Sequence, residues 1–505
     1  MRDPAPTPNR WLVAAAVMLT TVMVILDMTI VNVTLPHMMG ALGATADQIT
    51  WVLTSYIVAE AITIPLTGFL SNRFGRRRVM LTSIVGFVLA SALCGQSSTL
   101  AEMVIYRIAQ GAFGASLIPL SQSVMVDTFP PAERGKAMAL WGVGIMLGPI
   151  MGPTLGGYVT QHLSWPWVFY INVPVGLINV ALVLRLVQET PLRPARADWW
   201  GAALMAIGIG SLQVVLDRGN RDGWFSSHLI ALLSLTAVVT LVWFVLRSWG
   251  RRDSVVDLSL LKDRNLTAAS LMMGAFGLGL FGTIALQPIM LERLLNYPAE
   301  TAGFVMAPRG LGSAFSMFLV SRLINRHDPR LLVGVGLVLA ATGTYMMAWY
   351  TLQISPLWVV GPSIVQGLGL GMIFVPLSTL AFDTLPKASV DAGSGVFNLM
   401  RTMGGSIGIS VAGTLFTRAG QESWNSLGGH LSPFNPAVQA WLHNHGLDLA
   451  SPMAPHLLAR ELARQAQMMA FVDAFWIISL SFLLLAPLLL LVRRTHHQPD
   501  PGPAH

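Results

Sequence analysis

The length of the apolar runs constrains this chain more than any other feature. Blocks of roughly 20 residues, nearly free of charge, recur from Trp11 to Val492, and a helix of that length crosses about 30 Å of hydrocarbon. Within lipid a helix satisfies its own backbone hydrogen bonds, which an open strand does not. The expected fold is therefore all-α and integral to a membrane. With 53% hydrophobic and 11% charged residues, the 505-residue chain has too little charge to cover a soluble protein of its size. The net charge of +7 is spread over short loops and gathered in no groove, which argues against a nucleic-acid partner. The single cysteine, Cys94, excludes an intrachain disulfide and a cysteine metal cluster. The first block is too long for a signal peptide and lacks a small-residue cleavage site after it, so it reads as a retained span.

Block length gives about 14 spans, with cores near 12–36, 49–70, 79–96, 100–125, 137–160, 167–187, 199–216, 228–247, 266–290, 302–324, 331–351, 357–381, 394–416 and 471–492. The loops between them alternate in basic charge. One set carries Arg73, Arg76, Arg77, Arg78, Arg134, Lys136, Arg193, Arg196, Arg251, Arg252, Lys262, Arg326, Arg493 and Arg494; the other has few. By the positive-inside rule both termini are cytoplasmic. The stretch 418–470, with Pro433, Pro436, Pro452 and Pro455, is then an extended outer loop, and its end, His456 to Met469, reads as a short amphipathic helix.

The chain also repeats itself. QGAFGASLIPLSQSVMVDTFP, from Gln110 to Pro130, matches QGLGLGMIFVPLSTLAFDTLP, from Gln366 to Pro386. The same offset pairs Gly148 with Gly404 and Gly152 with Gly408. Span 4 thus corresponds to span 12, and span 5 to span 13. The simplest division is a six-helix bundle over 1–190, two inserted linker helices over 191–250, a second six-helix bundle over 251–492 with the outer loop, and a cytoplasmic tail over 493–505. Parallel halves of this kind hold a substrate between them near the midplane.

Charges inside spans are costly and default to functional candidates. Asp27 in span 1, Glu60 in span 2 and Arg107 in span 4 fall near one depth by residue count at about 1.5 Å per residue. The second half has Ser363 where the repeat places Arg107, so proton chemistry is expected in the first half. Glu60 reads equally as an extra proton site or substrate-cation ligand and as a simple partner for Arg107. Arg309 in span 10 and Arg401 in span 13 are further intramembrane cations; either suits an anionic substrate, and pairing with helix carbonyls explains them as well. The histidines of the outer loop have no metal-site spacing. With no nucleophile elbow, phosphate loop or nucleotide motif, the chain reads as a secondary active transporter and not an enzyme. It needs no cofactor and no metal, and is driven by the proton gradient.

Taken in order, LDMTIVNVTLP (26–36), WVLTSYIVAEAITIPLTGFL (51–70), IPLSQS (118–123), GPIMGPTLGGY (148–158), FYINVPVG (169–176), GIGSLQVVLDRG (208–219) and VDLSLLKDRN (256–265) resemble the 14-span drug:proton antiporter family of the major facilitator superfamily over essentially the whole chain. The resemblance implies the major facilitator fold. It places Asp27 at the acid of the first-span motif and Arg107 at the arginine of the fourth-span motif; Glu60 has no counterpart. Gly68, Asn72, Arg73, Gly75 and Arg76 align with the gating loop, where an Asp usually stands at Asn72, which puts the loop's charge latch in doubt. Gly144, Gly148, Pro149, Gly152, Pro153, Gly156 and Gly157 align with the antiporter helix, expected as a hinge and seal between halves, although plain helix packing gives the same pattern. Span 13 (GVFNLMRTMGGSIG) carries Asn398 beside Arg401, which with Arg309 complete the substrate-cavity candidates. The implied activity is proton-coupled export of small hydrophobic drugs and toxic compounds from the bacterial inner membrane, by alternating access. An EmrA-like periplasmic adaptor and a TolC-like outer-membrane channel are the implied partners. The alternative is proton-coupled export of one metabolite, fatty acid or siderophore.

Overall fold

The computed structural model describes residues 9–492 apart from 46–47, 193–197, 250, 252–253, 255, 325, 433, 445, 447–450 and 452, and gives backbone alone at 33, 131–132, 149–150, 153–154, 161 and 299–300. The tail 493–505, the loop cations Arg193, Arg196 and Arg252, and the side chains of Pro149 and Pro153 lie outside what is described.

Every described element is helical. Among the described residues, twelve helices are long and apolar enough to cross a membrane: Arg10–Asn32, Trp51–Phe74, Arg76–Gln96, Leu100–Thr128, Trp167–Leu186, Trp199–Arg218, His228–Ser248, Arg264–Leu294, Thr301–Leu323, Pro329–Met347, Pro356–Asp383 and Ala454–Leu491. Two further long helices, Pro131–His162 and Val390–Gly428, stand at expected spans 5 and 13. Both are rich in Gly, and span 13 also carries Arg401 within its membrane length, which lowers its mean hydropathy without shortening it. Numbering all of them in chain order gives spans 1 to 14, used below.

Spans 2 and 4 are each interrupted below their charged residues. Pro65 sits in a 3-10 turn, Ile64–Leu66, that splits span 2. Span 4 breaks between Leu100–Gly114 and Leu117–Thr128. A proline lacks the N–H that would continue the ladder, so the lower half of span 2 is free to turn toward the other bundle. Gly75 joins spans 2 and 3 at φ 89°, a backbone region that costs glycine little.

Of the inserted pair, span 7 sits where span 2 meets span 13, and span 8 packs against span 7. Gln213 donates to Ser406 at 2.7 Å and Asn220 to Thr417 at 3.3 Å, while Asp217 accepts from Thr54. Span 8 is largely exposed along its length, and its outward leucines and valines, Leu232, Leu235, Val238 and Val242 among them, suit a lipid-facing helix.

The outer loop differs from its expected form. Span 13 runs on to Gly428, 39 residues in all, and the segment expected as a separate amphipathic helix is the first part of span 14, continuous from Ala454. Apolar residues of 454–470, Ala454 and Leu458 among them, pack against the short helix Pro436–Asn444 through Val438, Trp441 and Leu442, which explains an amphipathic pattern without a break.

Candidate functional site

Two sites stand out, one inside the first bundle and one on the seam between bundles. In the first, Arg107 donates from Nη1 to Asp27 Oδ2 at 2.9 Å and to Gln110 Oε1 at 2.7 Å, and from Nε to the Val52 carbonyl at 3.0 Å. Asp27 Oδ1 accepts from Gln110 Nε2 at 2.9 Å and Asn172 Nδ2 at 2.7 Å. Asn172 also donates to Ser91 Oγ, whose hydroxyl donates to the Phe169 carbonyl. The guanidinium lies 4.2 Å from the centre of the Tyr56 ring. Spans 1, 2, 3, 4 and 6 thus converge on one ion pair whose residues are both 1% exposed. Such a pair is tolerated in a dry interior only when its remaining donors and acceptors are met, and Gln110 and Asn172 meet them.

Glu60 is 3% exposed and its Oε2 has no hydrogen-bond partner. It is not the partner of Arg107, whose donors are taken by Asp27, Gln110 and Val52. The strongest opposite charge acting on it is Arg401 of the second half, with Arg107 next.

The repeat shows what the second half has in place of the pair. The spacing that carries Gln110 onto Gln366 carries Asp27 onto Thr283, and Gln366 Nε2 donates to Thr283 Oγ1 at 3.3 Å and to Thr344 Oγ1 at 2.8 Å. The amide network is kept and the charge is gone.

The seam lies at the end of the molecule that carries the basic loops. Arg76 is paired with Asp127 of span 4 and with Asp391 of span 13, each at 2.7 Å. Asp391 also accepts from Ser123. Higher up, Asn398 Nδ2 donates to Gln122 Oε1 at 2.7 Å and Ser394 Oγ to the Pro119 carbonyl at 2.9 Å. Gly68 touches Ala392 so closely that a Cβ there would stand 2.5 Å from the alanine methyl. A second contact line runs along span 5, where Trp141 stacks on Phe374 with ring centres 5.9 Å apart.

Several expected positions move. The gating loop does contribute a charge latch, made by Arg76 with Asp127 and Asp391 and not at half-buried Asn72, since an amide carries no charge. Arg73 is exposed. Asn398 is buried in the seam, its amide donating to Gln122 and to the Ser394 carbonyl. The glycine face of span 5 meets span 1 of its own bundle: Gly144 faces Met18 and Val22, Gly148 faces Ile25, Gly152 faces Thr29. Contact with the other bundle is made instead by Gly135 and Gly142 of the same helix, against Ile324 and Met317. Gly156 is buried and Gly157 faces open space.

Sequence reasoning missed Gln110, Asn172, Ser91, Gln122, Asp127 and Asp391. Signals existed for three of them: Gln110 opens the repeat, Asp127 closes it, and Asn172 stands in FYINVPVG.

This packing of two repeated bundles matches solved transporters. A crystal structure of the human organic anion transporter MFSD10 superposes with a TM-score of 0.64 at 16% identity, covering 96% of this chain and all of that one. The sequence profile of the Major Facilitator Superfamily matches residues 17–409. The chain belongs to the major facilitator superfamily. Among curated members, the multidrug export protein EmrB of Escherichia coli (strain K12) is 37% identical over 478 residues, 93% of each chain. The fatty acid resistance protein FarB of Neisseria gonorrhoeae is 34% identical over 96% of each. This superfamily member is a multi-pass membrane protein of a transporter family, all-α, with two six-helix bundles and an inserted pair.

Proposed function

We propose that the chain is a proton-coupled antiporter that exports small hydrophobic drugs and toxic compounds across the bacterial inner membrane by alternating access. The observation that carries the reading is Asp27: a buried carboxyl group held by one cation and two amides at the heart of the first bundle. The seam closed by Arg76 and Asp391 lies at the basic end, which we read as cytoplasmic, so this conformation is closed on that side. The cycle starts when an external proton reaches Asp27. A neutral carboxyl is a weaker acceptor for a guanidinium than a carboxylate, so protonation loosens Arg107. Glu60, with its unpaired oxygen, is the next carboxylate available to it. Spans 1, 2, 4 and 6 then repack, the seam opens, and the central face bearing Glu60 and Arg401 is presented to the cytoplasm. A lipophilic compound binds there; proton release inward and substrate release outward close the cycle. Relatives named as multidrug export proteins over 93% of the chain support the substrate class.

As the inner-membrane component of a tripartite system, the protein would engage an EmrA-like adaptor and a TolC-like channel through the helical outer loop. A narrower reading, export of a fatty acid or another single metabolite such as a siderophore, is favoured by the likeness to FarB.

The test is reconstitution in proteoliposomes. A pH gradient should drive uptake of several unrelated lipophilic dyes into inside-out vesicles, with alkalinisation of the lumen as protons leave. Uptake of fatty acids alone would select the narrower reading, and gradient-independent equilibration would end the antiport model.

A further inference from the structure

Among the described residues, the second bundle contains a buried cation with no ion-pair partner. Arg309 of span 10 is 9% exposed, and one of its donors, Nη1, has no hydrogen-bond partner. Its Nη2 donates to the Gln287 side-chain oxygen of span 9. Gln287 in turn donates to Ser363 Oγ at 3.4 Å. Among the described residues the only titratable group acting on Arg309 is the phenol of Tyr350, which is neutral at ordinary pH. Ser313, one helical turn along span 10 on the same face, is 0% exposed and its hydroxyl is also unpartnered.

The first bundle shows how this protein treats a buried guanidinium: Arg107 receives a carboxylate, an amide oxygen and a backbone carbonyl. In the second bundle the position of Asp27 is Thr283, Arg107 is Ser363, and the cation comes from span 10. Arg309 keeps the amide oxygen and lacks the carboxylate. A guanidinium stays charged at all accessible pH, and a charge buried without a counter-charge costs several kcal/mol. Two unmet donors, one charged and one hydroxyl, on one face of one helix are the complement of a small anion.

We propose that Arg309 and Ser313 form a binding site for a small monovalent anion, either chloride or the carboxylate of an organic acid, within the second bundle. The anion stands where a protein carboxylate stands in the first bundle. The site is separate from the Asp27 site and does not depend on proton coupling.

Equilibrium binding to the full-length protein, purified and exchanged into gluconate at fixed ionic strength, tests this. Radiolabelled chloride and radiolabelled benzoate are the two probes. Wild type should show one saturable site for at least one of them. Arg309→Gln should weaken it roughly thirtyfold or more, the size of effect seen when one partner of a buried charge pair is removed. Gln287→Glu should weaken it as much while keeping Arg309, because the new carboxylate takes the place of the anion; this variant gains an ion pair and decides the matter should Arg309→Gln fail to fold. Binding of chloride alone identifies an inorganic ion, and binding of benzoate alone identifies an acidic substrate. No saturable binding of either probe, or wild-type binding by Gln287→Glu, overturns the proposal.

Discussion

Asp27→Asn removes the charge that Arg107 faces and keeps the shape. If the amide oxygen takes the Oδ2 position it still accepts from Arg107, but its NH2 then occupies the Oδ1 position, opposite the donating amides of Gln110 and Asn172 at 2.9 and 2.7 Å. Gln110 cannot simply flip, because its own oxygen accepts from Arg107 at 2.7 Å. Breaking one side of a buried pair costs about 3–5 kcal/mol, a large part of the ~5–15 kcal/mol that holds a protein folded. Arg107→Gln should cost a similar amount. The double variant should cost markedly less than the sum, since neither charge is left alone, with a coupling energy of up to about 3 kcal/mol. Thermal unfolding in detergent measures all four proteins. Proton-driven uptake into inverted vesicles, normalised to membrane content, should be lost in all three variants, while substrate binding by Asp27→Asn survives. Additive stabilities would mean the pair contributes nothing as a pair. Wild-type driven uptake by Asp27→Asn would remove the proton role altogether.

Glu60→Gln removes a buried carboxylate with an unpaired oxygen, so stability should hold or rise by about 1 kcal/mol while driven export falls; unchanged export would make Glu60 a bystander. Gly68→Ala places a methyl 2.5 Å from that of Ala392, so it should part the seam and raise labelling of a cysteine placed at Ser394; labelling equal to that of the Ser394→Cys parent would dissociate the seam from gating. Lys387→Cys should react with an impermeant thiol reagent from the cytoplasmic side and Ser426→Cys from the outside, both positions being solvent-reachable; the opposite result inverts the topology. Replacing Pro436–Asn444 by a short flexible linker should abolish co-purification of a periplasmic adaptor without lowering expression, and retained co-purification would place the docking surface elsewhere.

The fold was legible because lipid imposes one rule on every span: apolar residues, helix, and about 20 of them. The rule is weakest where packing replaces lipid as the neighbour. Spans 5 and 13 are glycine-rich because other helices press on them, Gly404 against the Gly274 carbonyl and Gly148 against Ile25. In span 13 the glycines and Arg401 make the composition less apolar than that of an ordinary span, yet block length and place in the repeat mark both helices. The same limit explains the misplaced glycine face. Four-residue spacing fixes which residues of a helix point together, and says nothing of which neighbour they meet.

Charge was legible by depth, and partnership was not. Counting residues brought Asp27, Glu60 and Arg107 to one level, yet only the azimuth of each helix decides that Arg107 turns to Asp27 and leaves an oxygen of Glu60 without a hydrogen bond. The neutral residues that complete the site, Gln110 and Asn172, carry no hydropathy signal strong enough to mark them within apolar spans. Motif and repeat mark their positions, and their role becomes visible when each lone pair of Asp27 is assigned a donor. The repeat adds a second kind of evidence. Gln110 and Gln366 hold equivalent places, one answering a carboxylate and the other the Thr283 and Thr344 hydroxyls. The two bundles share an amide scaffold and differ in charge: the first contains an acid paired with a base, the second, among the described residues, an arginine with no acid paired to it. An exchange of proton for substrate needs one site that changes charge and another face that does not, and that asymmetry is present in the side chains of this single chain.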